Sequence, residues 1–582
     1  MPKYKIQSTG QQVSLQQSNF VYKGGEGSVY LIGGTAYKVC EPGKMVPPEK
    51  LKELAVLAHN QIIVPNDILL SGTGLVGYSM PAVPDNPKPL AQILTRTYRD
   101  RENVTPEKMT KLVQQIADAI RFIHEHPGYL QVDGNELNYM VSSEHTRVYL
   151  IDTNSYQTPS FPADAIMPSI RDWSVSKDSS GMWEWSQLSD WYSFAIVSWY
   201  MFTAIHPFKG HHPGYPDRKT FMQEQMRNNV SVLDSDVRFP KAATYYPFEQ
   251  VIPGGKNGAY MQWYQAVFSG KRLEPPHGFQ ATIAGIVEAK ITTESKKFVI
   301  TEAARFGVKI TDVYRLPSCL AVSTASHVVF GKNNSLPKPP DTSVVVGEMS
   351  KHDGKKVLAW IDSDENVHVR YGSSQSNINT NVFATQLMEY DGRIYAKSTE
   401  SIVELLFVDK GRYVAQQPVA TVTQKSTQLF GAVAIQNIFG AYFASVFPAS
   451  LHHRQFRLDE LLGYRVIDAR YESHVLMVLA FNPVAASYDR FVYRFSQNFS
   501  THDVRKIEHV NPAGLNFTVT SKNVCVSVCE DESIEVFSSS PGSQSVKRFD
   551  DEALSGASLL CSRGSQVFFV RGETMYALSL SK

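Results

Sequence analysis

The sequence predicts a multidomain protein, an α+β region followed by an all-β region. Three observations carry that expectation. The chain has 582 residues, enough for more than one domain. Its first half mixes Gly-bounded strands with amphipathic helices. Near residue 290 the texture changes to short alternating strands separated by turns, and it stays so to the end.

The elements follow in order. Branched and aromatic residues between Gly pairs predict strands at Asn19–Tyr22, Ser28–Ile32 and Thr35–Cys40. Pro47 and Pro48 introduce a helix over EKLKELAVLAH. Residues 62–83 read as two further strands split by SGTG. TPEKMTKLVQQIADAIRFIHEH is a strongly amphipathic helix entered at Thr105, with Pro106 in its first turn. Residues 187–205, 219–229 and 258–269 predict three more helices. Beyond 290, KVLAWIDSDENVHVRYG, LMEYDGRIYAKS and NVCVSVCEDESIEVFSS read as hairpins, their turns flanked by β-branched and aromatic residues. Such pairs recur about every 40–50 residues, a spacing that suits propeller blades. About 290 residues would make six or seven blades; a two-sheet β-sandwich is the alternative.

Composition narrows the function. Hydrophobic residues make up 43% of the chain and charged residues 19%, which suits a folded protein rather than a disordered one. A net charge of +1 offers no broad basic field for nucleic acid. The five cysteines are sparse and odd in number, so a disulfide framework is not expected and a reducing compartment is. Cys525 and Cys529 read as core thiols, and the His211–His212 and His452–His453 pairs as surface loops. MPKYKIQSTGQQ lacks the apolar core of a signal peptide, and no stretch approaches the roughly 20 apolar residues of a membrane span, so a cytoplasmic location without membrane contact is expected.

Three short stretches carry chemistry. In GGEGSVY, Gly24, Gly25 and Gly27 would let backbone amides approach phosphates, because no Cβ intervenes. Lys38 follows on the next strand, where its ammonium can reach the same phosphates. It needs an acidic partner: Glu53 is the first choice and Glu49 the alternative. In QVDGNELN, Asp133 and Asn138 stand five apart; the carboxylate can accept a hydroxyl proton and the amide oxygen can ligate Mg²⁺. Asp152, after the strand YLI, would ligate the metal that bridges the phosphates. The Trp-rich stretch with Trp173, Trp183, Trp185 and Trp191 reads either as a peptide-recognition surface or as a packed insertion.

On GGEGSVY, Asp133-Gly-Asn-Glu-Leu-Asn138 and Ile151-Asp-Thr-Asn-Ser-Tyr-Gln157, residues 18–280 resemble the eukaryotic-type protein kinase superfamily, and more narrowly its divergent bacterial and phage-type members. The resemblance implies a bilobal protein-kinase-like fold with ATP and Mg²⁺ as cofactors. With the change of texture near residue 290, it divides the chain into an N-terminal extension (1–17), an N-lobe with hinge (18–83), a helical C-lobe (84–285), a linker (286–298) and a β-propeller-like domain (299–582). It implies Val29 against the adenine, and Met80 and Val83 in GYSMPAV along the hinge. It makes Asp190, in SDWYSFAIVSWYMFTAIHPFKG, the buried brace of the catalytic loop, and Arg272 the late arginine of the helical lobe. The chain departs from the family pattern at several places. Gln131-Val132 replaces the usual His-Arg, Asn135 the usual lysine, and Thr153-Asn154 the usual Phe-Gly. MPSIRDW (167–173) is the nearest counterpart of Ala-Pro-Glu, and Tyr22 stands in place of the first glycine. The expected function is an ATP- and Mg²⁺-dependent protein kinase, serine/threonine before tyrosine, whose propeller recruits a protein substrate or assembly partner. A pseudokinase–propeller scaffold and a small-molecule phosphotransferase are the alternatives.

Overall fold

The computed structural model describes residues 3–580 except 85, 211, 216–220, 238–245, 279–297, 332–333, 341, 349–354, 372–376, 409–412, 513, 530–532, 544, 550–553 and 555–557. The expected linker lies outside the described residues, save for Phe298.

The N-terminal part builds one antiparallel sheet from β1 (Lys3–Ile6), β2 (Gln12–Ser14), β3 (Phe20–Lys23), β4 (Gly27–Ile32), β5 (Thr35–Cys40), β6 (Asp67–Ser71) and β7 (Gly74–Pro81). The strand order is β2-β1-β6-β7-β5-β4-β3, which puts β5 near the middle. Residues 1–17, read as an extension, thus supply two strands to one edge of the sheet. Val13 and Leu15 bury there with Tyr37 and Leu69. These strands are too short, and too weakly bounded by turn residues, to stand out in the sequence.

Helix α1 (Pro48–Leu54) ends earlier than its apolar pattern predicts, and Ala55–Leu57 tighten into a 3₁₀ turn. Below it come α2 (Leu90–Ile93), α3 (Arg96–Arg101), α4 (Pro106–His124) and α5 (Gln187–Thr203). Thr105 caps α4 as its sequence predicts, accepting from Lys108 N at 3.3 Å. Every residue of α5 from Ser189 to Thr203 is buried, as befits a helix apolar on all sides. Beside α4, a small sheet of β8 (Lys88–Pro89), β9 (Tyr139–Val141) and β10 (Val148–Leu150) frames the loop between residues 130 and 139. No helix among the described residues is long and apolar enough to cross a membrane.

The C-terminal part is all β. Among the described residues it forms seven four-stranded antiparallel sheets. Six come from consecutive segments, 310–337, 345–383, 386–421, 427–457, 465–510 and 516–549. The seventh combines 558–580 with the strand Phe298–Arg305, whose Phe298 pairs with Leu580 and Arg305 with Thr574. The first strand of the all-β part therefore completes its last sheet. Apolar clusters fill the spaces between neighbouring sheets, as with Val357, Val369, Ile394 and Val403. The leading strands surround a cavity of about 1020 Å³ lined by Asp312, Glu389, Asp468 and Glu472 among others.

The two parts share a core. The largest apolar cluster runs from Leu54, Ile116 and Phe194 into Ile467, Phe481 and Phe517. Polar ties accompany it. Gln92 Nε2 donates to Ile467 O at 2.9 Å and Tyr488 Oη to Glu136 Oε1 at 2.6 Å. Lys309 pairs with Asp100 at 3.0 Å. Arg101, at the end of α3, reaches the cavity with Glu102 bound to it at 2.9 Å.

Candidate functional site

Lys38 sits in mid-strand on β5, opposite Val29 of β4 and Tyr78 of β7. Those flanking strands bury its stem and send its ammonium into the gap between the sheet and the helical part. There Nζ lies 2.9 Å from Asp152 Oδ1, 2.7 Å from Glu26 Oε2 and 3.3 Å from Asn154 Oδ1. The Tyr78 hydroxyl donates to the same Asn154 oxygen at 2.8 Å. Burial alone would lower the Lys38 pKa. The negative groups around it, Asp152 foremost, overturn that and hold it well above the usual lysine value. Glu26 shows the converse: burial pushes it up, but Lys38 and Asn154 bring it below the usual glutamate value.

The hairpin that carries Glu26 depends on close backbone approach. A Cβ on Gly27 would stand 2.3 Å from Val39 O, so only glycine fits where β4 crosses β5. Gly25 faces open space, and Gly24 N donates to Gly27 O at 2.9 Å to shape the turn.

Asp133 lies on the loop between α4 and β9. Its Oδ1 accepts from Met167 N at 2.9 Å, and Asn138 Nδ2 donates to Asp133 O at 2.8 Å. Burial raises the Asp133 carboxyl above the usual aspartate range. Asn138 Oδ1 and Asp152 Oδ2 accept no hydrogen bond among the described residues. Val132 (φ 58°) and Asp152 (φ 59°) both adopt the left-handed conformation, which costs a non-glycine residue energy and persists where surroundings impose it. Asp190 imposes it on the first of them. Its carboxylate, 1% exposed, accepts from Gln131 N at 2.8 Å, Val132 N at 2.9 Å and His124 Nε2 at 2.9 Å.

Glu53 is a correction. The expected Lys38–Glu53 pair does not form; Glu53 Oε2 instead accepts from Ser160 N at 3.2 Å. Helix α1 ends at Leu54 and turns that side chain toward the 153–161 segment, while the Gly-hairpin carboxylate of Glu26 takes the lysine. Met80 pairs with Ala36 in β7 and packs on the main core; Val83 lies just beyond that strand, half-buried like Val29. Arg272 meets a partner the sequence reading did not name. Its Nε and Nη2 bind Asp172 Oδ2 and Oδ1 at 2.5 and 2.6 Å. Asp172 falls inside MPSIRDW, the nearest signal available for it.

The Trp-rich stretch divides. Trp191 and Trp185 are core residues, the latter donating to Ala163 O at 3.0 Å. Trp173 and Trp183 sandwich the Arg171 guanidinium at 4.4 and 4.2 Å. His211 lies outside the described residues; His212 Nδ1 accepts from Gly214 N. No group of three or more His, Cys, Asp or Glu side chains suited to a metal occurs among the described residues. All five cysteines are free.

No protein-family model and no curated protein matches the chain. Among solved structures it is weakly similar to the kinase PK-1 of Cydia pomonella Granulovirus. The identity is 13%, over 43% of this chain and 88% of that one, and the TM-score is 0.29.

Proposed function

We propose that the N-terminal region is a protein-kinase-like fold that transfers the γ-phosphate of ATP to a protein hydroxyl, serine or threonine before tyrosine. The observation that carries this reading is the convergence of β5, the hairpin 24–27 and the Asp152 turn on Lys38, beside a loop in which Asn138 holds Asp133. Phosphoryl transfer asks a protein mainly for positioning and charge, and this set offers both. The Gly24–Gly27 amides and Lys38 would hold the phosphates. Val29, Met80 and Val83 would line the adenine. The free oxygens of Asn138 and Asp152 suit Mg²⁺, which usually takes one or two carboxylates plus phosphate oxygens. When bound, the metal would neutralise phosphate charge. Asp133 would orient the attacking hydroxyl and accept its proton.

The seven sheets are read as a seven-bladed propeller. Six of the sheets are local meanders, and the strand Phe298–Arg305, completing the seventh beside the end of the chain, would close the ring. Its surface beyond the shared core would recruit a protein substrate or partner; the whole protein would work in the cytoplasm.

A scaffold that binds nucleotide without turnover is the second reading, because Glu26 and Asp152 already satisfy Lys38. Small-molecule phosphotransfer fits the same residues. The test is a titration of ATP with and without Mg²⁺. The kinase reading expects Mg²⁺-dependent binding that weakens at least about tenfold in Asp152→Asn, given the strength of charge-assisted contacts. Binding indifferent to both metal and substitution would contradict it.

A further inference from the structure

We infer that Arg465, a side chain of the all-β region, is a positioning residue of the proposed nucleotide site, coupling the Gly hairpin to the catalytic loop. This rests on the phosphotransfer reading above for its purpose, but not for its geometry.

Arg465 opens the strand Arg465–Glu472 and leans across the domain boundary. Its guanidinium carbon lies 5.4 Å from the centroid of the Tyr22 ring, within cation–π range. Its Nη1 lies 3.5 Å from Leu137 O, a long hydrogen bond to the backbone just before Asn138. Arg465 forms no ion pair among the described residues, and these two contacts aim its guanidinium.

Tyr22 passes the constraint onward. Its ring fills the space beside Gly24, where a Cβ would come within 2.9 Å of the ring edge. The hairpin tip therefore rests on Tyr22. Two groups at the centre of the site, Lys38 and Asp152, lie close enough to act on the Tyr22 phenol, as does Arg465; burial is the strongest influence and raises it. One guanidinium thus ties together the two loops whose separation sets where phosphates sit relative to Asp133.

Neighbouring contacts reinforce the coupling. Phe439 packs on Phe20 at 5.1 Å between centroids, and Lys425 binds Leu31 O, both on the strands that carry the hairpin. Tyr488 binds Glu136 one residue from Leu137. The all-β region therefore grips both sides of the cleft, and Arg465 stands where the grips meet. The position of Tyr22, where the family pattern has its first glycine, acquires a purpose: it supplies the ring that Arg465 holds.

The experiment compares full-length wild type, Arg465→Ala, Arg465→Lys and Tyr22→Phe. The first readout is amide hydrogen exchange without nucleotide. Arg465→Ala is expected to raise exchange in both 22–28 and 131–138, while Tyr22→Phe, which keeps the ring, leaves both near wild type. The second readout is affinity for Mg²⁺-ADP and, where turnover occurs, KM for ATP against kcat. Arg465→Ala should weaken nucleotide binding and raise KM about 5- to 30-fold, the scale of a partly desolvated cation–π contact. Arg465→Lys should recover part of it. Unchanged exchange in both loops, in a variant that melts like wild type, overturns the inference. Faster exchange in a protein whose wild type binds no nucleotide would uphold the coupling while removing the phosphotransfer reading.

Discussion

The two regions differ in what their polar contacts hold: loops in the N-terminal region, paired strands in the all-β region. In the N-terminal region, the groups that matter stand on loops and are held one by one: Asp190 braces Gln131 and Val132, Met167 holds Asp133, and Lys38 holds Glu26 and Asp152. In the all-β region, backbone ladders between sequence neighbours build the sheets, side-chain braces such as Glu472 on Thr518 and Val519 are added to them, and among the described residues one sheet takes a strand from far away. The difference teaches where each region is fragile. A repeated meander spreads its stability over many similar pairings. A braced loop concentrates it in a few buried polar contacts, each costly to leave half made.

The regions should nevertheless fail together, because Ile467, Phe481 and Phe517 belong to the same core as Leu54 and Phe194. A chain ended at residue 278 is expected to give no soluble folded product, and the intact protein to unfold in one calorimetric transition. Two separated transitions would break that link. Next in size is Asp190→Ala. Removing this carboxylate strands the Gln131 and Val132 amides and His124, and should cost about 3 kcal/mol in denaturant unfolding; an effect below about 1 kcal/mol would show that the loop holds itself. Tyr488→Phe removes the donor to the buried Glu136 carboxylate across the boundary and should cost about 1–3 kcal/mol.

Smaller still is the contrast between two glutamates. Glu26→Gln is expected to change Mg²⁺-ATP affinity several-fold, and Glu53→Gln less than about twofold, since only Glu26 touches Lys38. Equal effects would restore Glu53 to the lysine. A separate test belongs to the cavity of the all-β region, which Glu389 lines. Burial pushes Glu389 up to about 8 from its ordinary 4.5. A raised carboxyl contributes stability below its unfolded pKa and loses it as pH rises. The melting temperature should therefore drift down between about pH 4.5 and 8 by this contribution, and Glu389→Gln should flatten that drift.

What was legible in the sequence follows the same division. Lys38, Asp133, Asn138 and Asp152 lie in short motifs whose spacing is local, so residue order singles them out, whereas Asp190 was expected from the family resemblance. Glu26 lay in plain view in GGEGSVY, yet its role depends on how the hairpin folds over β5. The Asp172–Arg272 and Arg465–Tyr22 contacts join positions far apart in the chain, which no periodicity records. Glu53 misled because apolar spacing identifies the buried face of a helix but not where the helix stops. The hairpins beyond residue 290 were readable for their turns; the closing strand Phe298–Arg305 was not, because its partner is the far end of the chain.

The most direct measurement is transfer of labelled γ-phosphate from ATP in the presence of Mg²⁺, to the protein itself and to a mixed protein substrate, in wild type, Asp133→Ala and Asp152→Ala. The expected result is transfer by wild type and a loss of at least about a thousandfold in both variants, the scale on which positioning and charge stabilisation act. Transfer that persists in both variants, or Mg²⁺-dependent nucleotide binding with no transfer to any acceptor, would contradict a kinase centred on these residues.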